Sequence, residues 1–213
     1  MDWVNGSRVQ QYAEDHRLCV VMPSADNGFY VDNEKSFNRH GEFVGRELVE
    51  LTRKIFPLSE KREDTYIGGF SMGGYGALRN GLKYHETFGA VVALSSALVT
   101  DATERWSDKA PTPIGNRGYA ESVFGDLNQV AESDMNPRYL AKQLKDQGVD
   151  LPRLYVACGT EDFLFAANEK LVKDLQAHGI DVTYDIGPGV HNWDFWDAYV
   201  KRGMDWLEEK YNG

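Results

Sequence analysis

One serine of this chain lies among glycines, in the run Ile67-Gly68-Gly69-Phe70-Ser71-Met72-Gly73-Gly74-Tyr75-Gly76-Ala77-Leu78. A hydroxyl becomes a useful nucleophile only when it is exposed and a base removes its proton. The order of the residues meets the first condition. Residues 64–68 have the composition of a strand, residues 75–80 open a helix, and the G-x-S-x-G of residues 69–73 falls at the join. In that setting the pattern describes a nucleophile elbow, whose central residue is strained with its hydroxyl pointing outward. Side chains two positions either side would collide, which favours glycine at 69 and 73. Gly74 and Ala77 would let the following helix lie close to the neighbouring strands.

The second condition is a base. Of five histidines, His16 and His178 fall at helix ends, His85 follows a helix and His40 precedes one. Histidines at helix ends usually serve the surface or compensate the helix dipole. His191 differs. It follows the last strand in Gly187-Pro188-Gly189-Val190-His191-Asn192-Trp193, at the strand's carboxyl end, where a parallel sheet places its chemistry. An acid to orient the base is offered by Gly159-Thr160-Glu161-Asp162, directly after another strand. Glu161 and Asp162 compete for the role. Asp162 is preferred, because a short side chain two residues past the strand's end can reach the imidazole without swinging. Asp185, inside a strand, is a poorer choice. Phe163 and Phe165 would keep water away.

These residues need a scaffold, and the chain alternates strand and helix. Strands are expected at residues 18–22, 66–69, 90–94, 154–158 and 182–186. Helices are expected at residues 8–16, 43–56, from the elbow to about Tyr84, from Asn136-Pro137 to Gly148, at 165–178 and at 195–211. Short, continuously apolar strands between helices predict an α/β fold, a mainly parallel sheet covered on both faces. With 213 residues, a single domain over 1–213 is the expectation. Residues 97–134 break the alternation. They hold Pro111, Pro113, Gly115, Gly118 and Gly125 with Trp106, Tyr119 and Phe124 among them, and read as a small packed cap or lid inserted in that domain.

Composition excludes several function classes. There are 23 basic and 33 acidic residues, a net charge of −10, and no basic cluster, so nucleic acid and anionic membranes are not expected partners. No apolar stretch approaches the ~20 residues of a membrane span. Cys19 and Cys158 fall within expected strands and read as buried free thiols rather than a disulfide or metal pair. A reducing, cytoplasmic setting follows. No metal or organic cofactor is required by this chemistry.

GFSMGGYG at 69–76, GTED at 159–162 and GVHNWDFW at 189–196 together resemble the esterase D-like branch of the α/β-hydrolases. That branch includes tributyrin esterases, feruloyl and acetyl-xylan esterases and S-formylglutathione hydrolases. The loop at residues 21–27 (VMPSADN) is also similar to one in its small bacterial carboxylesterases. The likeness runs through nearly the whole chain and implies an α/β-hydrolase fold. By position, Ser71 resembles the family's nucleophile, Asp162 its acid and His191 its base. The backbone N–H of Met72, the residue after the nucleophile, would be one oxyanion donor. The implied activity is hydrolysis of small-molecule esters through an acyl-enzyme. Thioesters, or feruloyl and acetyl-xylan esters, remain open, as do an inactive binding protein of the same fold and a homo-oligomer. Trp193 and Trp196 beside the histidine, and Trp106 in the cap, are expected to shape the pocket. Plain packing serves Trp196 equally well.

One departure from the family carries an expectation of its own. The chain opens with Met1-Asp2-Trp3 about where the family's His-Gly loop, its second oxyanion source, should have ended. On that reading the fold is shortened at its amino terminus. A slot between the strands at 18–22 and 66–69 then stands without its usual occupant. The expected remedies are a longer natural chain, or closure of the two flanking strands onto each other, which would bring the Asp26-Asn27 loop toward Ser71. A strand given by a second copy is the less favoured remedy. Losing one oxyanion donor can cost roughly 10²–10³ in turnover.

Overall fold

Ala90-Val91-Val92-Ala93-Leu94 is apolar at every position, and a strand of that kind needs cover on both faces. In the computed structural model, which describes residues 2–101, 106–110 and 115–209, these five residues are buried throughout and pair on both sides. The chain begins with two short helices, α1 (Trp3–Gly6) and α2 (Val9–Asp15). A two-residue antiparallel ladder follows, β1 (Asp32–Asn33) with β2 (Asn38–Arg39). Next comes a continuous helical stretch, α3 (His40–Glu42), a π-turn (Phe43–Glu47) and α4 (Leu48–Ile55). Then β3 (Tyr66–Phe70), α5 (Met72–Lys83) and β4 (Ala90–Leu94) form one strand–helix–strand unit. The helices α6 (Arg117–Phe124), α7 (Leu127–Val130) and α8 (Pro137–Asp146) lead to β5 (Arg153–Gly159). The chain closes with α9 (Phe165–Ala177), β6 (Thr183–Gly187) and α10 (Trp193–Glu208). Tyr211, the expected end of the last helix, lies outside the described residues.

The four long strands form a parallel sheet in the order β3-β4-β5-β6. Alternation along β4 and β5 sends side chains to two cores. Val91, Ala93, Leu154 and Val156 face α5, α8 and α9 with Leu78, Leu82, Leu171 and Leu175. Val92, Leu94, Tyr155 and Ala157 face α2 and α10 with Val9, Tyr12, Trp196, Tyr199 and Met204. Local signals set the helix ends. The Asn136 side chain accepts the Arg138 N–H at 3.1 Å, with Pro137 in the first turn. Gly179 ends α9 at φ +69°, and the buried Ile180 donates its N–H to Leu175.

A third cluster lies under the segment that breaks the alternation. Trp106 stacks on Phe124 at 5.2 Å, and both are buried with Phe29, Tyr75, Val123 and Leu127. Tyr119 reaches the backbone carbonyl of Asn27. The aromatic residues here are therefore packed. Pro111 and Pro113 lie outside the described residues.

Two expectations are corrected. Residues 18–22 form no strand. Val20, Val21 and Met22 are 36%, 43% and 44% exposed, and β4 is the one described strand that pairs with β3. An apolar run has strand propensity, but a strand exists only where a neighbour takes up its N–H and C=O groups. Residues 18–22 have no such neighbour in the described sheet, and the two flanking segments do not close onto each other. Cys19, part of this run, is consequently exposed, whereas Cys158 is buried in β5 as expected.

Candidate active site

Ser71 joins β3 to α5 with φ 53° and ψ −118°, a conformation that costs a non-glycine residue and persists only when its surroundings impose it. Three backbone hydrogen bonds do so. The Ser71 N–H donates to Leu94 at 2.9 Å, and its C=O accepts from Tyr75 at 3.1 Å and Ala97 at 2.9 Å. A Cβ on Gly69 would stand 2.3 Å from the Gly73 carbonyl oxygen, so position 69 requires glycine. A Cβ on Gly73 would meet nothing within 4 Å, so the expected collision comes from one side only. Gly74 behaves as expected, since a Cβ there would lie 2.8 Å from Leu94 O and Ser96 Oγ.

The turn after β6 brings His191 to the serine. Its Nε2 lies 2.9 Å from Ser71 Oγ, and its Nδ1 lies 2.9 Å from Asp162 Oδ2. The Asp162 side chain is fully buried and that of His191 is 18% exposed. The other Asp162 oxygen accepts the Leu164 N–H at 2.8 Å, which fixes the carboxylate in its turn. Glu161, the competing acid, points elsewhere. Its carboxylate accepts the Gly189 N–H at 2.6 Å, a bond that holds its pKa below the usual range. The same turns are joined again by Thr160 N–H to Gly187 O and Glu161 N–H to Gly189 O. Asp185 lies away from the histidine, bonded to Tyr155 and Arg202.

The ring of His191 is held between aromatic neighbours. Trp196 meets it edge-on at 4.8 Å and anchors its own indole N–H on Ser95 Oγ. Phe163, 77% exposed, meets it at 4.7 Å on the solvent side of the turn. Of the residues expected to shape a pocket, Trp193 is half-buried in a cluster with Trp3, Phe70 and Trp196. Trp106 is only 8% exposed and belongs to the third core cluster. Met72 is the first residue of α5, so its N–H has no acceptor within the helix and points out at the positive end of the helix dipole. The nearby thiol of Cys158 offers no rival nucleophile, because burial and then the Asp162 charge push it up to about 12. Among the described residues no group of three or more His, Cys, Asp or Glu is arranged to hold a metal ion. None of their helices is long and apolar enough to cross a membrane.

A parallel sheet with helices on both faces, a serine on the strand–helix elbow and a histidine after the last strand defines the α/β-hydrolase class. The sequence family described as "Putative esterase" matches residues 3–206, and the chain belongs to that family. It is thus an enzyme of the carboxylic ester hydrolase type. An acetyl esterase of Caldicellulosiruptor saccharolyticus is 42% identical over 209 residues, covering 98% of this chain and 79% of that protein. Among solved structures, the fluorophosphonate-binding serine hydrolase FphF of Staphylococcus aureus superposes with a TM-score of 0.84 at 28% identity, covering 96% of this chain and 76% of that one. The S-formylglutathione hydrolase FrmB of the same organism gives a TM-score of 0.81 at 29% identity, with 96% and 77% covered.

Proposed function

We propose that this chain hydrolyses short-chain acyl esters, acetyl esters among them, with Ser71 as nucleophile, His191 as general base and acid, and Asp162 as the group that orients the histidine. The observation that carries the reading is the unbroken line of 2.9 Å contacts from Ser71 Oγ through both nitrogens of His191 to a buried carboxylate. His191 takes the hydroxyl proton as Oγ attacks the ester carbonyl. The buried Asp162 stabilises the imidazolium that forms and keeps the other nitrogen's proton directed at itself. Charge collects on the former carbonyl oxygen, where the Met72 N–H at the helix start is the available donor. The imidazolium then protonates the departing alcohol, and a water activated in the same way clears the acyl group. In this reading residues 97–134 act as a cap, and the exposed Phe163 flanks the histidine that protonates the leaving alcohol.

The acetyl esterase relative supports a small acyl group, and the FrmB structure supports a second reading, hydrolysis of S-formylglutathione. The two free cysteines fit a reducing, cytoplasmic compartment. A panel of nitrophenyl esters of rising chain length, with tributyrin and S-formylglutathione beside it, separates the readings. The Ser71→Ala protein, folded by circular dichroism, is expected to lose ester hydrolysis. Retention of most of the activity would sink the serine mechanism.

A further inference from the structure

We infer that Asn168, in the first turn of α9 and outside the set of groups that act on substrate, is a positioning residue that locks the acid turn to the nucleophile turn. The inference rests on the roles proposed above for Ser71, His191 and Asp162. Asn168 is fully buried. Its carboxamide oxygen accepts the Ser96 N–H at 3.0 Å, and its nitrogen donates to the Ser96 C=O at 3.0 Å. The side chain thus pairs with the N–H and C=O of one residue, as a neighbouring strand would. The second N–H of the same nitrogen donates to Leu164 C=O at 2.9 Å. Both halves of the amide are engaged, and each partner leads to the site.

On one side, Ser96 lies between two of the three backbone groups that grip the nucleophile, Leu94 C=O and Ala97 N–H. Ser95, just before it, has φ 45° and donates its N–H to Ala157 at 2.7 Å, so this turn is itself strained and depends on its surroundings. On the other side, the Leu164 N–H donates to Asp162 Oδ1. Two routes therefore join Ser71 to Asp162. One runs in front, through His191. The other runs behind, through Ala97, Ser96, Asn168 and Leu164, and closes a ring. The closeness of Gly74 to Ser96 leaves little room for that turn to shift without dragging α5. Only a carboxamide of this length accepts once and donates twice here. A carboxylate has no donor, and an aliphatic side chain has neither function. In the sequence, Asn168 reads as one polar residue in an amphipathic helix, which is why its spacing carries no signal.

The test compares the parent with Asn168→Asp, which keeps the shape, and Asn168→Ala, on a nitrophenyl acetate at a temperature where each is folded. A positioning role is expected to lower kcat roughly 10- to 100-fold with KM within about three-fold, the scale on which a misplacement near 1 Å acts. A residue serving stability alone would lower Tm and leave kcat per folded molecule unchanged, and that result for either folded variant overturns the inference. A second measurement needs no variant. Phosphonylation of Ser71 in the parent is expected to change hydrogen exchange in peptides spanning residues 95–98 and 163–166 together. Change in neither peptide also overturns it. Ser71→Ala runs alongside. If that protein stays active, the site reading has failed. If it is dead while both Asn168 variants match the parent, only this inference has.

Discussion

Glu161 and Asp162 are adjacent carboxylates, and one peptide unit decides their fates. Asp162 turns inward to the imidazole, while Glu161 stays at the surface and staples the Gly189 amide. The two substitutions should therefore separate cleanly. Asp162→Asn removes the acceptor that fixes the histidine's tautomer and is expected to lower kcat by about 10³–10⁴. Glu161→Gln still offers an acceptor to Gly189 and should leave kcat within about three-fold. Steady-state kinetics on one acetate ester checks both. Comparable losses in the two proteins would reassign the acid.

At the scale of elements, α5 is tied down by ion pairs in its carboxyl-terminal half. The Arg79 side chain is 1% exposed and pairs with Asp134 at 2.8 Å and Asp32 at 3.5 Å, with Lys83 reaching Asp134 at 2.7 Å. Burial raises the Asp134 pKa, but Arg79 and Lys83 outweigh it and hold the carboxyl below its ordinary value. A depressed carboxyl contributes stability that is present above the unfolded-state value of ~3.9 and is lost as pH falls through the folded one. Asp134→Asn should therefore lower Tm at pH 7, and the gap from the parent should shrink below about pH 4. A gap that is constant with pH would show that the pair contributes nothing through ionisation. What was readable in advance follows the range of each signal. The elbow, the α8 and α9 ends and the buried β4 depend on neighbours in sequence, and all appear where expected. Residues 18–22 have the propensity of a strand without being one, because pairing is decided by a distant segment that local propensity cannot see, and the exposure of Cys19 follows from that. Trp106 is an aromatic residue in a loop by sequence and a core residue by contact. The convergence of Ser71, Asp162 and His191 was legible because each sits in the turn after a strand's carboxyl end.

At the scale of the molecule, the sheet has a sheltered middle and bare flanks. The amides of β4 pair on both sides and lie between two cores, while residues 18–22 have no described ladder and, from Cys19 to Met22, exposed side chains. Peptide-resolved hydrogen exchange should show orders of magnitude between them, with β4 limited by global unfolding. Equal protection would mean that residues 18–22 are paired in solution. The first helix, the elbow strand and the last helix converge where Trp3, Phe70, Trp193 and Trp196 meet, all within 5.6 Å of a neighbour, and Trp196 carries the imidazole of His191 on its edge. Three indoles that light up together beside one ionisable ring amount to an optical gauge. Gaining a proton at that ring alters the charge 4.8 Å from an emitter, and losing its hydroxyl partner to an acyl group alters its hydrogen bonding there. Turnover is therefore expected to change the protein's own ultraviolet glow, and stopped-flow emission with an acetate ester, without a dye, checks it.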